Sequence, residues 1–189
     1  PHGGVADLRA RRLRAVDDDT FLEDPLRALR VVQFAARLAA TPSPGLVDLC
    51  VRADVHELPA ERIRGEWFKL LLAAEPGRGL RIAEQTTLLQ RIFPGTRAVA
   101  ADALERAVDA RDVEPVEGRQ LALMLLIWLA DASSDVVEHT LDRLQLFRWG
   151  GYKLRDAVCA AHAGLDHPVT TDAHLRALAT RSEPFLVCT

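Results

Sequence analysis

The sequence predicts an all-α protein with no sheet, and three observations carry that expectation. Apolar residues recur at helical spacing, most clearly at positions 25, 28, 29, 32, 35 and 36. Breaks at Thr41-Pro42-Ser43-Pro44-Gly45, Pro76-Gly77-Arg78-Gly79-Leu80 and Phe93-Pro94-Gly95 cut the chain into helix-sized pieces. The stretch Leu121–Leu129 is apolar all round, as a helix inside a core must be. At 189 residues the chain can close one sizeable core or two small helical units.

Taken in order, residues 1–20 read as a connector, in which Gly3 and Gly4 supply backbone freedom and Asp7 either caps or braces the hinge or sits in an ordinary turn. Asp17–Thr20 reads as a loop and N-cap. From Phe21 to Leu38 the spacing predicts one helix, with Pro25 in its first turn and acidic Glu23 and Asp24 at the positive end of the dipole. Helices follow from about 45 to 53 and from 60 to 74, and another ends at Phe93, completing a first unit over 21–95. A second unit, 96–189, takes helices over 98–111, 118–130, 134–146, 152–163 and 171–181. Trp128, Trp149 and Tyr152 read as core and turn packing, not as stacking platforms.

Composition removes several function classes. No run of eighteen residues lacks charge, so no membrane span is expected. Cys50, Cys159 and Cys188 are odd in number and far apart, which fits reduced thiols in a cytoplasmic protein. A net charge of −3 argues against a uniformly basic nucleic-acid binder but leaves room for a local positive face. Pro1-His2-Gly3-Gly4 carries neither an initiator Met nor a signal-peptide pattern, so the chain is expected to be cut from something longer.

The chemistry concentrates on the helix of residues 21–38. Asp24, Arg27, Arg30 and Gln33 step along it at i, i+3, away from the apolar side. A carboxylate accepts from an exocyclic amine, and a guanidinium donates to ring nitrogens and carbonyls. One Asp and one Arg three residues apart can therefore meet the amine and the adjacent acceptor of cytosine or adenine. Uracil and guanine would turn a carbonyl toward the carboxylate. Ordinary i, i+3 salt bridging on an exposed face, worth a few tenths of a kcal/mol (roughly 0.2–0.5), fits the same spacing.

The wording of this stretch goes further. Glu23-Asp24-Pro25-Leu26-Arg27-Ala28-Leu29-Arg30, followed by Gln33-Phe34-Ala35-Ala36-Arg37, resembles the base-reading motif of the class II tRNA nucleotidyltransferase and poly(A) polymerase family. Pro1-His2-Gly3-Gly4-Val5-Ala6-Asp7-Leu8 resembles that family's head-to-neck junction, and Glu61-Arg62-Ile63-Arg64-Gly65-Glu66 its neck motif. The resemblance runs from residue 1 to about 95 and implies a multi-helix neck and body without the catalytic head. It implies that Asp24 and Arg27 form the template for CTP and ATP, with Arg30 as a further nucleotide contact. Glu23, Asp7, Glu61, Arg62 and Glu66 become supporting residues. Many members have Arg where this chain has Gln33, so no phosphate contact is carried over there. The cluster Arg9, Arg11, Arg12 and Arg14 becomes a solvated face or a contact for RNA or triphosphate.

The family's metal-binding carboxylates are expected in the head, which would hold Mg2+, and not in this chain. Asp17-Asp18-Asp19 superficially offers them, but the chemistry needs alternating carboxylates on a strand, and no strand-like run leads in. Many relatives carry a metal-dependent His-Asp phosphohydrolase domain after the neck. None of the six histidines here is followed by Asp. His139, His162, His167 and His174 are therefore expected to be surface or satisfied residues, with Ala130-Asp131 where the pair would stand. The function implied is template-independent addition of CCA, or CC or A, to tRNA 3′ ends. A poly(A) polymerase is the runner-up, and a non-catalytic RNA-binding module the rival from another class. This chain alone is expected to be inactive.

Overall fold

The structure is a computed structural model that describes residues 3–164, which fold as two compact units dividing between Ile92 and Phe93. The helix expected over 171–181, together with His167, His174 and Cys188, lies outside the described residues. Among the described residues no helix is long and apolar enough to cross a membrane.

The first unit opens with α1 (Gly4–Arg9), a helix inside the expected connector. A short strand, β1 (Arg12–Leu13), leads to α2 (Asp18–Glu23), which Asp17 caps by accepting from the Thr20 N–H at 2.7 Å. Next come α3 (Leu26–Leu38), β2 (Thr41–Pro42), α4 (Pro44–Arg52), α5 (Ala60–Leu71), α6 (Pro76–Gln85) and α7 (Leu88–Ile92). Helix α3 is the centre of this unit and packs against α5 and α6. Gly79 lets α6 come close, since a Cβ there would stand 2.9 Å from Ala36 Cβ and from Leu70 Cγ.

Two expectations are corrected here. The helix of residues 21–38 is broken at Asp24, whose backbone is extended (φ −125°, ψ 98°) between α2 and α3. Pro25 is the cause, because its ring disfavours the helical region for the residue before it. The protein is mostly helical but not free of sheet: β1 and β2 pair in parallel, Arg12 opposite Thr41 and Leu13 opposite Pro42. Arg11 and Ala39 both have positive φ and release extended backbone side by side. Thr41 N–H then donates to Arg11 C=O at 2.8 Å and Ser43 N–H to Leu13 C=O at 2.9 Å.

The second unit is built around α10 (Glu117–Leu129). Before it come a 3₁₀ turn (Ala98–Ala100), α8 (Ala101–Arg106) and α9 (Val108–Asp112); after it come α11 (Ser134–Arg143) and α12 (Leu154–Ala163). From Leu121 to Leu129 every side chain but Leu123 is buried. Trp128 meets Phe93 edge-on, with ring centroids 5.2 Å apart.

Candidate functional site

The break at Asp24 decides how its carboxylate is used. Oδ1 accepts from the Leu26 N–H at 3.2 Å, so Asp24 caps the helix that carries Arg27 and Arg30. From α5, Arg62 Nη2 lies 3.3 Å from each carboxylate oxygen. Packing of α5 on α3 thus delivers a guanidinium to an acid 38 positions earlier in the chain. Arg27 lies one turn into α3, and its Nη1 donates to the Thr20 carbonyl of α2. Arg30 is exposed and lies over the Phe34 ring, 5.3 Å from its centroid.

Between α2, α3 and the connector is a cavity of about 440 Å³ whose lining includes Leu13, Val16, Phe21, Arg27, Arg30 and Phe34. Its walls are mostly apolar and aromatic, with three arginines (Arg14, Arg27 and Arg30) and the carboxylate of Asp17 also in the lining, a combination suited to a flat ring bearing negative charge. Asp24 stands beside this cavity at the α2–α3 junction and is not part of its lining.

On the other side of the Leu13–Val16 segment a second hollow of about 520 Å³ includes Asp7, Arg12 and Arg14. Asp7 Oδ1 accepts from Arg12 Nε at 3.1 Å, and Oδ2 from Arg14 Nε and Nη2 at 2.9 and 2.6 Å. The Arg14 hydrogen bond is the largest influence holding this carboxyl below the usual carboxylate range; desolvation acts the other way, and the Arg12 hydrogen bond and the two guanidinium charges add to the lowering. Part of the expected basic cluster is thereby neutralised within the connector.

The other anticipated residues are dispersed. Glu23 and Glu61 are exposed and make no ion pair among the described residues. Glu66 is buried at 9% exposure and pairs with Lys69 at 2.7 Å. Gln33 departs from the open row: it is 2% exposed, with no hydrogen-bond partner for Nε2. An i, i+3 step falls about 60° short of a full turn, so two steps beyond Arg27 the row has rotated about 120° into the packed side. Phe34 was not singled out as a site residue, although its i+4 spacing from Arg30 was a readable signal for the stacked pair.

In the second unit His139 is exposed, and the His162 ring Nε2 lies 3.1 Å from the Ala132 carbonyl. Cys50, in the first unit, is buried, and burial pushes its thiol up to about 12, which makes it unreactive.

Residues 52–99 match a family model described as the probable RNA and SrmB-binding site of polymerase A. The multifunctional CCA protein of Azoarcus sp. (strain BH72) is 40% identical over 99 residues, covering 50% of this chain and 24% of that protein. That of Burkholderia mallei (strain SAVP1) is 36% identical over 132 residues, covering 67% of this chain and 30% of that protein. This chain belongs to the tRNA nucleotidyltransferase family. It spans 24% and 30% of the length of these two curated relatives. The fold is shared with solved members. The Thermotoga maritima CCA-adding enzyme complexed with tRNA superposes with a TM-score of 0.66 at 20% identity, over 100% of this chain and 47% of that one. A tRNA-processing enzyme with CTP gives 0.66 at 22%, over 99% and 60%. In this family member, the RNA-binding family model begins at the end of α4 and takes in the whole of α5, from which Arg62 reaches Asp24.

Proposed function

We propose that this chain is the neck and body of a template-independent tRNA nucleotidyltransferase that adds CCA to tRNA 3′ ends. Asp24 and Arg27 select the base of CTP and ATP, and Arg30 contacts the nucleotide. The observation that carries this reading is the pairing of Asp24 with Arg62 beside, though not in the lining of, a cavity that bears Arg27 and Arg30. Oδ1 of Asp24 already accepts from Leu26 N–H and Arg62, whereas Oδ2 has Arg62 alone. Oδ2 therefore has a lone pair open to the N4 amine of cytosine or the N6 amine of adenine. Arg27 spends Nη1 on Thr20 and keeps other N–H groups for N3 of cytosine or N1 of adenine. Arg62 fixes the direction of the carboxylate, and the Thr20 carbonyl fixes that of the guanidinium.

A head domain, the tRNA 3′ end, ATP and CTP are the partners in this reading. Mg2+ is assigned to carboxylates of that head; among the described residues no group of three His, Cys, Asp or Glu side chains could hold an ion. The chain alone is expected to incorporate no nucleotide. The test uses the complete enzyme and compares incorporation efficiency for all four triphosphates. Asp24→Ala and Arg27→Ala each remove a charge-assisted hydrogen bond worth about 1.5–3 kcal/mol, so discrimination against UTP and GTP falls roughly ten- to a hundredfold. Equal loss with all four triphosphates, or no loss, would show that the pair serves the fold and not selection. A product of repeated A in place of CCA would replace this reading with a poly(A) polymerase.

A further inference from the structure

Far along the chain from the base-reading residues, the turn between α11 and α12 has features that packing does not explain. Thirteen residues, 143–155, contain Arg143, Arg148, Lys153 and Arg155 and no carboxylate, in a chain whose net charge is −3. The turn itself is rigid. Trp149 and Tyr152 exchange N–H to C=O hydrogen bonds at 2.8 Å each way, and Gly150 and Gly151 between them have φ of 55° and 85°. Two successive positive φ values are what the tightest two-residue hairpin turn requires, and glycine adopts them without strain.

The turn is also held down. Trp149 Nε1 donates to Glu117 Oε1 at 2.8 Å, Tyr152 is buried against Gly118, and Arg148 Nη2 donates to the Gly151 carbonyl at 2.9 Å. Two of the three aromatic residues are thus used as anchors. The third, Phe147, is 65% exposed. The same turn carries Arg148 and Lys153, both exposed, and neither has an acid partner among the described residues, whereas Arg155 is paired with Asp142. A single exposed aromatic ring is ordinary on a protein surface. An exposed ring on a pinned turn that also carries two exposed, unneutralised cations supplies the parts of a stacking platform with phosphate contacts.

We propose that the Phe147–Lys153 turn binds unpaired RNA, with Phe147 stacking on one exposed base and Arg148 and Lys153 contacting the adjoining phosphates. Charge complementarity selects the occupant: two exposed cations without acid partners among the described residues favour a polyanion, since Glu117 is engaged by Trp149 and Asp142 by Arg155, and the ring favours one with exposed π-faces. This site rests on the reading of the chain as an RNA-handling protein, but not on base selection by Asp24 and Arg27. It also lies outside residues 52–99, which the RNA-binding family model covers.

Fluorescence anisotropy of the 189-residue chain with a labelled short oligouridylate, and with an unmodified tRNA transcript, tests it across a range of NaCl. Phe147→Ala should weaken oligouridylate binding roughly ten- to a hundredfold, and Phe147→Tyr should retain it. Lys153→Gln should flatten the dependence of log K on log salt by about 0.7, the value for one phosphate contact on a single strand. Because the ring is exposed, none of these changes should move the melting temperature. The inference is overturned if Phe147→Ala binds like the parent, if Phe147→Leu binds as well as the aromatic variants, or if the parent binds neither RNA. It is equally overturned if Phe147→Ala leaves RNA binding intact and instead abolishes self-association or binding to anionic phosphatidylserine vesicles. Failure here leaves the four-triphosphate assay on Asp24 and Arg27 unaffected, and failure of that assay leaves this one unaffected.

Discussion

Helices α3 and α10 are each 13 residues long, yet they are put to opposite uses. Helix α10 buries nine of its residues, and its Leu121–Leu129 stretch has no side left for chemistry. Helix α3 buries seven and keeps Arg30 and Arg37 in solvent, with Arg27 half-buried between. A helix buried all round contributes stability and little else, because an ionised group on it would have to be desolvated. A helix with one open face can hold guanidiniums at a cavity edge while its other face is locked by neighbours. The arginines proposed to contact the nucleotide therefore belong on α3, and α10 serves as scaffold.

That contrast is broken most easily in the second unit. Met124→Ala, in the middle of α10, removes a fully buried side chain and should cost about 2–5 kcal/mol in urea unfolding, whereas Arg37→Ala on α3 should stay within about 0.5 kcal/mol. Equal effects would mean that α10 is not the scaffold its burial describes.

A smaller change of opposite sign is expected at the one amide on the packed side of α3. Gln33 Nε2 is buried without a partner, and an unsatisfied donor of this kind costs about 1–3 kcal/mol. Gln33→Met keeps length and volume while removing the polar atoms, so the midpoint of unfolding should rise, by an amount on the order of 1 kcal/mol. A fall would show that the amide is satisfied in solution.

The smallest effect concerns the connector that walls the α3 cavity. The folded pKa of Asp7 is depressed, so its contribution is complete above the ordinary carboxylate pKa and is lost only as pH falls through the lowered folded value. The Asp7 carboxyl resonance should accordingly titrate below the ordinary aspartate value, and Arg14→Ala should move it up toward that value. Titration of Asp7 at the ordinary aspartate value in the parent protein would mean that the connector is not held by this pair.

Legibility followed distance along the chain. The Asp17 cap, the Ser43 cap of α4, the breaks around residues 41–45 and 93–95, and the buried run of α10 all depend on neighbours within a few positions. Each could be read from local rules. The break at Asp24 was equally local, since Pro25 constrains the residue before it, and the strength of the surrounding helical pattern obscured it. The drift of Gln33 into the core was a matter of helix geometry that the i, i+3 row concealed.

By itself, then, although the break at Asp24 and the division of the helix expected over 98–111 escaped it, the sequence determined most of the helices, the breaks around residues 41–45 and 93–95, the family and the residue types with the chemistry to meet a base. Those properties arise from short-range backbone preferences and from side-chain chemistry that does not depend on context. Only the tertiary structure decided that Arg62 meets Asp24, that Arg27 is tied to Thr20, and that Arg27 and Arg30 share a cavity with Phe21 and Phe34 while Asp24 stands beside it. It alone decided that Phe147 is left exposed on a pinned turn while Trp149 and Tyr152 anchor it. Such partnerships depend on which helix faces pack together, and a pattern read along one chain does not specify which residue of another helix arrives opposite it.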